Sequence, residues 1–130
     1  MATTTATINI ASADLTDNAL NITNTATLNK KGNLEGLDTI ISATKTFASE
    51  SVVDLVTVTG FTALNANKVY IANTGTSESD YFTIGIESEE IGRLYGGDWM
   101  FIPWDASSGD DITIKPSVAT AMTAEYMVFS

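Results

Sequence analysis

A chain of 130 residues with a net charge of −10 and a pI near 4.1 has the length of one domain with one core. It contains neither cysteine nor histidine, which removes disulfides, thiolate chemistry, zinc–thiolate sites, the usual general base near neutral pH and the Ser–His–Asp arrangement. An acidic surface repels phosphate backbones and anionic lipid, so nucleic acid and membranes are not expected partners, and no apolar run has the length to span a bilayer.

The start, Met1-Ala-Thr-Thr-Thr-Ala-Thr7, lacks the basic end and apolar centre of a signal peptide, so export by a standard signal is not expected and the chain is read as synthesised in the cytoplasm and kept soluble. Residues 1–33 are rich in Thr, Ala and Asn, and their only charges are Asp14, Asp17, Lys30 and Lys31. Ala6, Ile8 and Ile10 alternate as one face of a strand, and Thr25–Lys30 is a weaker strand. Between them, Asp14–Leu20 fits a helical turn capped by Asp14. Such sparse apolar content supports no core of its own. The segment reads either as a loose tail or as an arm that adds strands to a neighbour's sheet edge through Ile8 and Ile10. Asn21-Ile-Thr23 matches the N-glycosylation pattern and, without a secretion signal, is read as chance.

Gly32, Asn33 and Gly36 mark a turn, which sets the expected division into an N-terminal arm, 1–33, and a folded domain, 34–130. The β-branched runs within Leu37–Phe47 favour a strand over a helix. Val52–Val58 is a clearer strand whose imperfect alternation predicts a bulge or burial on both faces. Asn65-Ala-Asn67 is a turn signal. Val69 and Ile71 then share one face, with Lys68 and Tyr70 on the other. Asn73–Asp80 is a polar loop, and Phe82, Ile84 and Ile86 point inward from the next strand. Ser88-Glu-Glu90 is expected to turn the chain into Ile91–Tyr95. Ile112 and Ile114 alternate with Thr113 and Lys115 until Pro116 stops that strand or places it on an edge. Ala121–Phe129 closes the chain with apolar residues on both faces.

The stretch Tyr95–Asp105 stands out. It holds both tryptophans, a Gly-Gly turn and Pro103. As a strand it sends Trp99, Phe101 and Pro103 one way and Met100, Ile102 and Trp104 the other, so both faces are apolar and both call for cover. One cover is the domain's own core; the second is expected to be another polypeptide. Roughly seven to nine short strands with no convincing helix predict an all-β chain: an antiparallel β-sandwich or jelly roll with an extended N-terminal arm.

Few constellations carry chemistry. Asp105, Asp110 and Asp111 flank a Ser-Ser-Gly loop, but their spacing is not that of an EF-hand and solvated carboxylates are the simpler reading. Glu87, Glu89 and Glu90 sit in a polar turn, where a catalytic pair is not expected. Gly96-Gly97 has neither the lysine nor the following helix of a phosphate loop. Trp99, Trp104, Tyr95 and Tyr81 could form an aromatic platform for sugars; burial in a core or an oligomer contact is the competing reading, favoured by Met100, Phe101 and Ile102 on the same strand. No enzyme, metal or cofactor is expected.

The segments Val69–Gly75, Tyr81–Ile86, Gly97–Trp104, Asp111–Lys115 and Ala124–Phe129 together resemble the layout of small virion structural proteins of tailed bacteriophages. The resemblance spans about residues 68–130 and is one of pattern, with no counterpart for the first third of the chain. It implies a non-enzymatic capsid decoration, or cement, subunit on the virion surface. The chain is then expected to act as a homotrimer that docks on the major capsid protein and bridges neighbouring shell subunits. Trp99, Phe101, Trp104, Tyr126 and Phe129, with Ile8 and Ile10 on the arm, are the expected contact residues. A phage neck or tail component and a carbohydrate-binding β-sandwich module are the alternatives.

Overall fold

The computed structural model describes residues 3–31, 35–37 and 39–130. The expected turn at Gly32 and Asn33, and the 33/34 boundary drawn from it, lie outside these residues. All regular structure among the described residues is strand. The chain divides into two compact units, Met1–Asp38 and Thr39–Ser130.

In the first unit, β1 (Thr4–Ser12) and β2 (Leu20–Lys31) form an antiparallel hairpin with nine consecutive residue pairs and no register shift. The two-residue β3 (Glu35–Gly36) pairs with the far end of β2. The expected helical turn at Asp14–Leu20 is absent. Instead the Ser12 Oγ accepts the backbone N–H of Leu15 at 3.1 Å and also bonds Asp14, so a short hydroxyl bends the chain at the hairpin tip.

The second unit is a sandwich of two four-stranded antiparallel sheets. One contains β4 (Ile40–Phe47), β6 (Asn67–Asn73), β9 (Trp99–Trp104) and β11 (Met122–Phe129), in the order β4-β11-β6-β9. The other contains β5 (Val53–Val56), β7 (Tyr81–Ile86), β8 (Glu89–Tyr95) and β10 (Ile112–Pro116), in the order β5-β10-β7-β8. Only β7 and β8 are joined as a hairpin within one sheet. Every other link passes from one sheet to the other, which is the wiring of a jelly roll.

The period-two pattern accounts for the core. Val69 and Ile71 from one sheet meet Phe82, Ile84, Ile112 and Ile114 from the other, all of them wholly buried. Phe47 packs edge-on against Phe82 at 5.5 Å between ring centroids. The irregularity expected at β5 is a register shift opposite Ile112/Thr113. A second shift, at Ile84/Gly85 against β8, brings the backbone so near that a side chain at Gly85 would meet the Glu89 carbonyl at 2.7 Å. Pro116 ends β10, as expected, but β10 is an interior strand and not an edge. Glu89 and Glu90 lie in β8, so the turn is the pair Glu87-Ser88, with Glu87 at φ 55°.

Two buried asparagines have opposite fates. The Asn73 side chain ties one sheet to the other: its Nδ2 donates to the Leu94 carbonyl at 2.9 Å and its Oδ1 accepts the Gly75 N–H at 2.9 Å. Asn67, only 1% exposed, has no hydrogen-bond partner on either side-chain atom among the described residues. An unpaired buried amide costs more than an apolar group of the same shape. Asn67→Leu is therefore expected to raise the free energy of unfolding by about 1–2 kcal/mol, read from the urea midpoint at unchanged slope.

Candidate assembly surface

Directly opposed residues in a sheet share a face, so the pairing places the outer face of the β4-β11-β6-β9 sheet row by row. One row runs Ile40, Phe129, Lys68, Pro103, and the next Ser42, Met127, Tyr70, Phe101. A third adds Glu125, Ala72 and Trp99. Trp99 is 54% exposed and Ile40 57%, while Tyr70, Phe101, Met127 and Phe129 are half-buried. Their rings meet sideways: Tyr70 and Trp99 lie 6.2 Å apart with planes tilted by 34°, and Phe101 meets Phe129 at 6.4 Å. Partial burial pulls the Lys68 ammonium below the usual lysine pKa, desolvation being the cause, and its Nζ donates to the Ala66 carbonyl.

Contiguous apolar side chains left in water on one sheet face are the mark of a contact surface. The opposite outer face is different in kind. There Arg93 sits over the Tyr81 ring at 4.7 Å and pairs with Glu90 at 3.2 Å, alongside Thr83 and Lys115. The sandwich thus has one largely apolar outer face and one where charged side chains mix with Tyr81 and the exposed Tyr95.

The expected contact residues do not all fall on this surface. Trp99, Phe101 and Phe129 do. Trp104 does not: it is 3% exposed, packs edge-on against Phe61 at 5.2 Å, and donates its indole N–H to the Asp110 carbonyl at 2.8 Å. Tyr126 opposes Ile71 and packs against the core. Ile8 and Ile10 belong to the hairpin of the other unit, 41% and 47% exposed. Of the two apolar faces of β9, the core formed by the described residues takes the one carrying Met100, Ile102 and Trp104. Tyr70, Met127 and Ile40 were not among the expected contact residues, because nothing local says which face of their strands is left in water; pairing with β9 in space is what joins them to Trp99.

The four aromatics considered as a sugar platform lie apart. Trp104 is inside, Trp99 is on one outer face, and Tyr81 and Tyr95 pair at 5.1 Å in the other sheet. The carboxylates around the 105–111 loop serve the backbone separately: Asp111 accepts the Val58 N–H at 2.7 Å and Asp105 the Ser107 N–H at 3.0 Å. No group of three metal-ligating side chains occurs among the described residues. A groove of about 450 Å³ beside Trp104 is lined by Leu64, Ala66, Ile86 and Pro103 with Asp105 and Asp110, and its lining offers no hydroxyl or amine nucleophile.

No protein-family model matches the chain, and no curated protein matches it closely enough to be called a relative.

Proposed function

We propose that this chain is a non-enzymatic virion structural protein, a capsid decoration subunit that docks on a shell of major capsid protein and bridges neighbouring shell subunits. The observation that carries the reading is the apolar outer face around Trp99, Phe101 and Phe129, which the chain leaves in water. A soluble acidic protein keeps such a face when a partner covers it in the working state. The jelly-roll wiring fits the role, since a closely tied sandwich presents that face rigidly and loses little order on docking. Internal pressure loads the joints between capsid subunits, and a body buried across a joint raises the cost of opening it. Several copies acting together, as in a homotrimer, need only modest affinity at each joint, because every contact after the first is intramolecular.

Co-sedimentation with shells assembled from the same virus's major capsid protein tests the proposal. The wild-type chain is expected in the pellet. Trp99→Ser with Phe101→Ser is expected to stay in the supernatant, while its thermal midpoint remains within a few degrees of wild type. A wild-type chain that never pellets with shells overturns the reading. The exposed Trp99 beside Tyr70 favours carbohydrate binding as a second reading; a shift in tryptophan emission on glycan titration, lost in Trp99→Ser, would replace the first with it.

A further inference from the structure

The hairpin of β1 and β2 has two unlike faces. Its unbroken register puts Ala6, Ile8 and Ile10 on one side with Ala26, Asn24 and Ile22, and Thr5, Thr7 and Asn9 on the other with Thr27, Thr25 and Thr23. The polar side satisfies itself: Thr7 and Thr25 share a hydroxyl hydrogen bond of 2.7 Å, and the Thr23 Oγ1 donates to Asn9 Oδ1 at 3.3 Å. The apolar side is covered only at the end where Leu28, opposite Thr4, is buried. Ile8, Ile10 and Ile22 are 41%, 47% and 48% exposed, and a two-stranded ribbon is barely stable in water without cover on its apolar face.

Charge identifies the cover. From residue 3 to 29 the only charged side chains are Asp14 and Asp17, at the hairpin tip, in a chain whose net charge is −10. The flat of the hairpin carries no charge to attract a basic or an acidic partner. For two copies of an acidic protein it is the place of closest approach that costs least in like-charge repulsion. Isoleucine against isoleucine is also self-complementary, as a contact through the same patch on both copies requires.

We infer that the Ile8–Ile10–Ile22 faces of hairpins from separate copies of this chain pack against one another, with the threonine faces turned to water. This rests on the assembly reading above and names the partner of the arm as a second copy. It also makes the contact one of packed faces and not of strand addition at the outer edge of β1, the alternative that the test below separates. A ribbon face about 10 Å wide and 30 Å long offers about 300 Å² per copy, below the roughly 800 Å² per partner of a stable interface. The contact therefore reinforces an oligomer held elsewhere as well.

The absence of native cysteine makes the test clean. Full-length Ile10→Cys and Thr7→Cys chains are oxidised mildly at micromolar concentration and run on non-reducing gels. Disulfide-linked dimers from Ile10→Cys but not from Thr7→Cys are expected. Equal yields from both positions point to edge pairing and overturn the inference, as does no product from either. As a second measure, the triple variant Ile8→Thr, Ile10→Thr, Ile22→Thr should weaken self-association at least tenfold by sedimentation equilibrium, with the thermal midpoint of the sandwich unchanged; unchanged self-association overturns it. A chain that cross-links through position 10 yet never pellets with shells keeps this inference and removes the decoration reading. A chain that pellets without cross-linking does the reverse.

Discussion

Trp104→Ala is expected to lower the free energy of unfolding by about 3–5 kcal/mol, a large part of the stability of a domain this size. The indole fills the end of the sandwich against Phe61, and the surrounding strands cannot close over the void it would leave. The change also strips the Asp110 carbonyl of its hydrogen-bond donor. Trp99→Ala, on the same strand and chemically identical, is expected to change stability by about 0.5 kcal/mol or less, because that indole is 54% exposed. Urea unfolding of the two variants side by side checks the contrast. Equal losses would mean that the assignment of faces along β9 is wrong. Emission spectra give an independent reading: with Trp104 left alone the native spectrum is blue-shifted, and with Trp99 left alone it resembles indole in water.

The second large effect is expected at Asn73. Asn73→Ala removes the link from β6 to the Leu94 carbonyl and the acceptor of the Gly75 N–H at once. The Leu94 carbonyl left without a donor in the interior costs about 1–3 kcal/mol, while the exposed Gly75 N–H can turn to water, so a loss of about 1–3 kcal/mol is expected. Asn73→Asp retains the acceptor but sets a carboxylate oxygen against the Leu94 carbonyl, and it is expected to be at least as damaging. Native-state hydrogen exchange is the sharper measurement here. The amides of Asn73 and Gly97, bonded to the Asp98 and Asn73 carbonyls, should lose protection before the centre of either sheet does. Protection unchanged at both sites would remove Asn73 from its role as the clasp between sheets.

The parts of the fold that were legible in the sequence are those with one dry face and one wet one. Val69 and Ile71, Phe82 and Ile84, and Ile112 and Ile114 alternate because the core takes one side and water the other, and each pair is wholly buried. Where both sides are apolar, alternation loses its power to assign. Nothing local distinguishes Trp99 from Trp104; the choice is made by Asn67, which opposes Trp104, and by Phe61, which reaches it from a distant loop. In the first third the strands at Ala6–Ile10 and Thr25–Lys30 were legible and their pairing was not, for a different reason. A Thr/Ala/Asn alternation is equally good for a strand given to a neighbour and for one folded back on its own chain, and only pairing in space settles it. Glu89 and Glu90 were read as a turn because glutamate is sparse in strands, yet an outer position beside Arg93 accepts it readily.

The placement of β11 bears on how the protein is made. It runs between β4 and β6 and supplies both with their hydrogen-bonded neighbour. Until residues 122–129 have emerged from the ribosome, two strands separated by some twenty residues of sequence hold open backbone edges with nothing to zip them. Such wiring folds slowly, on the order of milliseconds to seconds, and exposes aggregation-prone edges while it waits. A message truncated before Met122 would thus yield an insoluble fragment and not a shortened working subunit.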